Sequence, residues 1–190
     1  MRYELRLAGA GGQGLVLAGI MLAEAGQIEG HMVVHSQNYG PEARGGNSVS
    51  EVIFSDEEID YPRALGLDML VALNQKACNE NVGDMKGDGL VIVDSAPVKK
   101  CLWGKVLRLH LQREADITFK DPRVVNVFAL GVLTPFCGWI SENSLTQTIS
   151  NRLPKHVLEH NLEAFKLGIS KGKDLKDSTF FHEMEGAIDV

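Results

Sequence analysis

Residues 3–14, Tyr3-Glu4-Leu5-Arg6-Leu7-Ala8-Gly9-Ala10-Gly11-Gly12-Gln13-Gly14, decide the fold. The first six form a short run centred on Leu5, Leu7 and Ala8, and the chain then breaks into a loop dominated by glycine. Residues 15–27 set apolar side chains around a small-residue helix, so the order is strand, glycine loop, helix. After Gly30, residues 31–36 carry the Val33-Val34 centre of a buried strand. The opening third therefore reads as a parallel strand-helix-strand unit with a right-handed crossover. The fold class that follows is α/β: a Rossmann-like three-layer sandwich, with a mostly parallel sheet flanked by helices.

Moving outward, residues 38–46 hold Gly40, Pro41, Gly45 and Gly46, and residues 48–54 then alternate as a half-buried strand does. A long loop is thus bracketed by two strands. Residues 67–73 and 90–94 are compact apolar runs suited to central parallel strands, separated by a helix over about 75–85. Gly87-Asp88-Gly89 reads as a turn into the second run, and residues 106–109 as an edge strand. From Pro122, the apolar residues Val124, Val125, Val127, Phe128, Leu130, Val132 and Leu133 cover nearly the whole circumference at helical pitch. That pattern predicts a deeply buried helix or one facing another subunit, ended or kinked by Pro135. Residues 141–153 and 155–167 predict two closing helices, the second stopped by Gly168. We expect one domain over residues 1–170 and a charged C-terminal tail over 171–190.

Composition narrows the function classes. The formal charge of −6 is spread along 190 residues with no basic run longer than Lys99-Lys100, which argues against a nucleic-acid partner. Arg2, Glu4 and Arg6 interrupt the start, and no stretch has membrane-spanning length, so a soluble, cytoplasmic protein without a membrane partner is expected. Cys78, Cys101 and Cys137 are too few and too far apart for a cluster or structural zinc site, and read as free, mostly buried thiols.

Gly9, Gly11 and Gly14 satisfy the dinucleotide-binding spacing, between a strand and a helix whose N-terminal amides can face a phosphate. The other half of that fingerprint is absent, because the second strand ends at His35-Ser36-Gln37 where an acidic residue should hold ribose hydroxyls. Two readings of the loop stand side by side: anion binding, and a tight turn that packs helix against strand. The segment Tyr39-Gly40-Pro41-Glu42-Ala43-Arg44-Gly45-Gly46 places a hydroxyl, a carboxylate and a guanidinium in one loop. Arg44 suits a bidentate contact to a carboxylate or phosphate, and an internal ion pair with Glu42 is the plainer alternative. His35, His110, His156 and His160 are acid-base candidates by type only. The last two share a helix face but lack a third metal ligand and read as a solvated pair.

The segments GAGGQGLVLAG (9–19), YGPEARGG (39–46), DMLVALN (68–74), NVFALG (126–131) and NLEAFKLG (161–168) together resemble, in order and spacing, the gamma subunit or gamma domain of 2-oxoacid:ferredoxin oxidoreductases acting on pyruvate, 2-oxoglutarate and related 2-oxoacids. The resemblance covers all but the tail. It implies a chain that is inactive alone and belongs to a hetero-oligomer with alpha and beta subunits and a ferredoxin-like delta subunit. The assembly decarboxylates a 2-oxoacid oxidatively to acyl-coenzyme A and passes electrons to ferredoxin. Thiamine diphosphate and iron-sulfur clusters are then carried by the companion subunits, and no metal or catalytic residue is expected in this chain. The same resemblance implies that Gly11, Gly12, Gln13 and Gly14 offer amides to the phosphates of coenzyme A. It also implies that Tyr39, Glu42 and Arg44 order the loop or touch a partner, with Asn126 near the same edge. Two rival classes remain: a purely structural or regulatory subunit, and a stand-alone Rossmann-like oxidoreductase using a nucleotide. A homodimer is expected when the chain is studied in isolation.

Overall fold

The computed structural model describes residues 1–39 and 46–178. Among the described residues six strands form one sheet: β1 (Arg2–Ala10), β2 (Met32–Tyr39), β3 (Asn47–Ser55), β4 (Leu67–Ala72), β5 (Met85–Asp94) and β6 (Val106–Leu109), in the order β2-β3-β1-β4-β5-β6. β1, β4, β5 and β6 pair in parallel, and β3 pairs antiparallel to both β1 and β2. Only β3 opposes the common direction, so the mostly parallel sandwich holds.

The strand-helix-strand opening is corrected in one respect. β1 and β2 run the same way but are not neighbours, because the chain turns back from β2 and inserts β3 between them. As an interior strand β3 is buried on both faces over its last six residues rather than alternating. Two of its buried polar side chains, Ser50 and Glu51, have partners. Ser50 Oγ meets His35 Nε2 at 2.8 Å, and Glu51 is bound by the Arg6 guanidinium. Arg6 also donates to Asn81 Oδ1 at 3.0 Å and to Asp84. A buried guanidinium surrounded in this way has every donor group answered, which is the condition for keeping it inside.

Helices cover the two faces unequally. α1 (Leu15–Ile28), the single turn α3 (Leu111–Glu114), α4 (Val125–Leu133), α5 (Glu142–Arg152) and α6 (Lys155–Lys176) pack on one face against Leu5, Leu7, Val52, Phe54, Met69, Val71 and Ile92. The other face is narrower: Ala8, Leu67, Leu70, Ala72, Val91 and Val93 meet Ala77 and Cys78 of α2 (Gln75–Asn81) and Val98. All nine residues of α4 are buried, within this chain itself. A short 3-10 turn over Thr134–Phe136, containing Pro135, ends the helix as expected. α5 starts at a capping box in which Ser141 and Ser144 satisfy each other's backbone.

Three local expectations are revised. α2 stops at Asn81 and a 3-10 turn continues to Asp84. Gly87-Asp88-Gly89 is not a turn before β5 but a bulge inside it, since two steps along β4 from Leu67 to Met69 face five along β5 from Met85 to Leu90. α6 does not stop at Gly168 but runs to Lys176. Gly168 is instead where α6 touches α4, its Cα lying 2.9 Å from the place a side chain on Gly131 would occupy. No helix among the described residues is long and apolar enough to cross a membrane.

Candidate functional site

From β1 the chain crosses to β2 on one side of the sheet, and from β4 it crosses to β5 on the other. α1 and α2 accordingly lie on opposite faces. The crevice between the carboxyl ends of β1 and β4 is therefore the switch point at which sheets of this kind hold ligands. Its walls are the loop after β1 and the Leu73-Asn74 step into α2. The Leu73 N–H donates to Ala8 O at 2.9 Å, and Asn74 caps α2 by accepting the Ala77 N–H at 2.8 Å.

The glycine loop is built by its own hydrogen bonds. The Gly11 N–H donates to Gly46 O at 2.8 Å and the Gln13 N–H to Ala10 O at 3.3 Å. Gln13 Oε1 folds back to accept the Ala10 N–H at 2.7 Å. The backbone N–H groups of Gly11 and Gln13 thus shape the loop. Those of Gly12 and Gly14, and those of Leu15, Val16 and Leu17 in the uncapped first turn of α1, have no partner among the described residues. Gly12 is exposed, with φ +95°, and no atom lies within 4 Å of where a side chain would start. Gly14 is left-handed at φ +72°, and a Cβ there would lie 2.5 Å from Asn126 Nδ2.

Asn126 comes 112 residues later in the chain, yet its Nδ2 donates to Gly14 O at 3.1 Å, and its Oδ1 accepts the Val127 N–H at 2.8 Å. It is buried and both ends of its amide are engaged, so it positions the loop rather than facing solvent. Tyr39, the last residue of β2, shares a row across the sheet with Ser48 and Gly9, which places its backbone at the same carboxyl edge. Glu42 and Arg44 lie outside the described residues. The nicotinamide reading loses further ground on geometry. With β3 inserted, the end of β2 is two strand spacings, roughly 10 Å, from β1, too far for a ribose contact made from the adjacent strand.

The chemistry at this edge is that of backbone donors. Among the described residues no three His, Cys, Asp or Glu side chains gather to hold a metal ion. His35 is held below the ordinary histidine range by burial against the sheet. His110 shares a hydrogen bond with Ser95 at 2.9 Å, and His160 sits edge-on to Phe119 with ring centres 5.3 Å apart. Asn47, Leu73 and Asn74 are residues that reading the sequence as a string did not single out for the site. Asn47 opposes Ala10 in the β1–β3 register and donates its side-chain amide to Glu80 of α2, joining the two walls of the crevice. An uncharged amide at a strand end gives only a weak sequence signal, the same one that marks Asn74 as a helix cap.

The family described as Pyruvate ferredoxin/flavodoxin oxidoreductase matches residues 4–171. The chain belongs to that family. Within the pyruvate ferredoxin/flavodoxin oxidoreductases it is a gamma-type subunit of a 2-oxoacid:ferredoxin oxidoreductase. The 2-oxoglutarate synthase subunit KorC of Methanocaldococcus jannaschii is 40% identical over 180 residues, which cover 92% of this chain and 96% of that one. The gamma subunit of a keto/oxoacid ferredoxin oxidoreductase from Geobacter sulfurreducens is 39% identical and superimposes with a TM-score of 0.80, covering 90% of this chain and 99% of that one. A 2-oxoglutarate:ferredoxin oxidoreductase from Magnetococcus marinus, solved with 2-oxoglutarate, coenzyme A and succinyl-CoA, is 26% identical with a TM-score of 0.83. It covers 93% of this chain, and the match spans 32% of that longer chain.

Proposed function

We propose that this chain completes an oxidoreductase that converts 2-oxoglutarate or a related 2-oxoacid, with coenzyme A, to the acyl-coenzyme A and carbon dioxide, passing two electrons to ferredoxin. In this reading it works in the cytoplasm beside alpha and beta subunits and a ferredoxin-like delta subunit, which carry the thiamine diphosphate and the iron-sulfur clusters. Its own share is assembly and the seating of coenzyme A. The observation that carries the second role is the set of unanswered N–H groups at Gly12, Gly14 and the first turn of α1, gathered at the carboxyl edge of β1. Such amides, at the positive end of a helix dipole, are matched by a phosphate.

Within that share, Gly12 leaves the approach open, Gly11 and Gln13 hold the loop's shape, and Asn126 fixes Gly14 from behind. Tyr39, Glu42 and Arg44 order the adjoining loop or meet the substrate-bearing subunit, with Arg44 as the charged group suited to a carboxylate or phosphate. A purely structural role has one observation on its side: the absent side chain of Gly14 makes room for Asn126, as close packing alone would require.

Titration of coenzyme A separates the two. The tagged chain is co-purified with its partners and the assembly assayed for coenzyme A-dependent dye reduction with several 2-oxoacids. Gly12→Leu and Arg44→Ala are then compared with the wild type. Intact assembly with a raised half-saturation for coenzyme A supports the proposal. Unchanged assembly, half-saturation and turnover in both variants refutes it.

A further inference from the structure

Two of the three cysteines meet away from the glycine loop. Cys78, on α2, is buried in the second core layer with Ala77 and Val98, and the half-buried Cys101 packs on that layer from the segment after β5. Cys78 Sγ lies 3.9 Å from Lys100 O, the carbonyl immediately before Cys101. Both backbones are fixed where they meet. The Gln75 side chain, in the first turn of α2, donates to Lys100 O at 2.6 Å and accepts the N–H groups of Lys99 and Lys100 at 2.9 and 3.0 Å. Arg108 of β6 holds the same segment from its other side, donating to Val98 O at 3.0 Å. The approach of the two residues is therefore set by pinned main chain.

We propose that Cys78 and Cys101 are a disulfide-forming pair, closed by exchange with a small-molecule disulfide into an intrachain bridge that staples α2 to residues 99–101. Cys101, the more accessible thiol, loses its proton and attacks one sulfur of the small disulfide, expelling one small thiol and leaving a mixed disulfide. Cys78 then loses its proton and attacks the Cys101 sulfur, forming the protein S–S bond and expelling the second small thiol. Two protein S–H bonds are lost and one S–S bond is gained, while the small disulfide takes up two electrons and two protons. Burial, and then the adjacent Cys78, push the Cys101 thiol up to about 12, with Arg108 pulling the other way. Thiolate is scarce at neutral pH, so closure is slow there and accelerates about tenfold per pH unit on the alkaline side. Cys137, buried against Tyr3 on the opposite face, takes no part.

The test uses the full-length chain, reduced and then exposed to glutathione disulfide at a series of pH values. The reaction is quenched by alkylation under unfolding conditions and the peptides are mapped by mass. The expected product is lighter by two hydrogens, with the Cys78 and Cys101 peptides linked, Cys137 alkylated, and a rate that climbs with pH. Cys78→Ser halts at glutathione attached to Cys101, and Cys101→Ser leaves Cys78 alkylatable. A wild-type chain that keeps glutathione on Cys101, leaves Cys78 alkylatable, or links Cys78 to any other cysteine overturns the proposal. The wild-type map decides this alone if a variant fails to fold.

Discussion

Alanine at Gly14 and alanine at Gly12 separate two reasons for a glycine. Both positions have positive φ, and placing an L side chain there costs roughly 1–2 kcal/mol. At Gly12 that is the whole effect, because no atom lies within 4 Å of the new Cβ. At Gly14 the Cβ would stand 2.5 Å from Asn126 Nδ2 and 3.0 Å from its Cγ. The amide must swing away, breaking its 3.1 Å bond to Gly14 O and leaving a buried donor unanswered, which adds roughly 1–3 kcal/mol. For a chain of this size each kcal/mol moves Tm by roughly 2–4 °C. Gly12→Ala should therefore melt roughly 2–8 °C below wild type and Gly14→Ala roughly 4–20 °C below, with the gap between the two variants as the diagnostic quantity. Calorimetry or thermal circular dichroism measures both. Asn126→Ala removes the obstacle, so the double variant Gly14→Ala/Asn126→Ala should be more stable than the two single losses add up to. Equal shifts at the two glycines, together with simple additivity in the double variant, would show that Asn126 does not hold the loop.

Three further outcomes are expected. Arg6→Met strands Glu51 and Asp84 beside an apolar group and should cost about 3–5 kcal/mol in urea unfolding, most of it because the buried Glu51 loses its counter-charge. Gly168→Ala drives a methyl into the Phe128 carbonyl of α4, and the helices can part only by disturbing a buried layer. A loss of about 1–3 kcal/mol or more is expected in the same assay. His35 has its folded pKa lowered by burial, so its contribution to stability is fully present above the unfolded value of about 6.5 and is lost as pH falls through the lower folded value. His35→Gln should flatten the stability profile on the acid side of pH 6.5 while leaving the alkaline side unchanged.

The sequence made β1, the glycine loop and α1 legible because strand, turn and helix signals follow one another within 28 residues and each rests on local chemistry. The burial of α4 around its circumference was legible for the same reason. Pairing was not. Nothing in the periodicity of residues 31–36 or 48–54 states that β3 will lie between β1 and β2, since a parallel neighbour and a hairpin neighbour present the same apolar pattern. Gly168 misled because a glycine after an amphipathic run looks like a helix stop until its partner Gly131 is known. At the site, the loop's position followed from sequence, but which of its amides stay free depended on Gly46 and Ala10 carbonyls that only the folded chain brings near. Asn126 came only from the family resemblance, and its place as the one polar side chain of α4 gains meaning once the fold sets it against Gly14. The network of Arg6 with Glu51, Asn81 and Asp84 was not legible, because its members converge only in the folded chain.

The burial of α4 on every side has a mechanical consequence. One end of this helix grips the glycine loop through Asn126, and further along Gly131 rests directly on the Phe165–Gly168 backbone of α6, with no side chain between them to act as padding. Close-packed interiors yield little, so a push on α6 has no compliant layer in which to dissipate. α4 therefore ties two contacts together: the Gly131–Gly168 crossing and the Asn126 bond to Gly14 sit on one stiff rod.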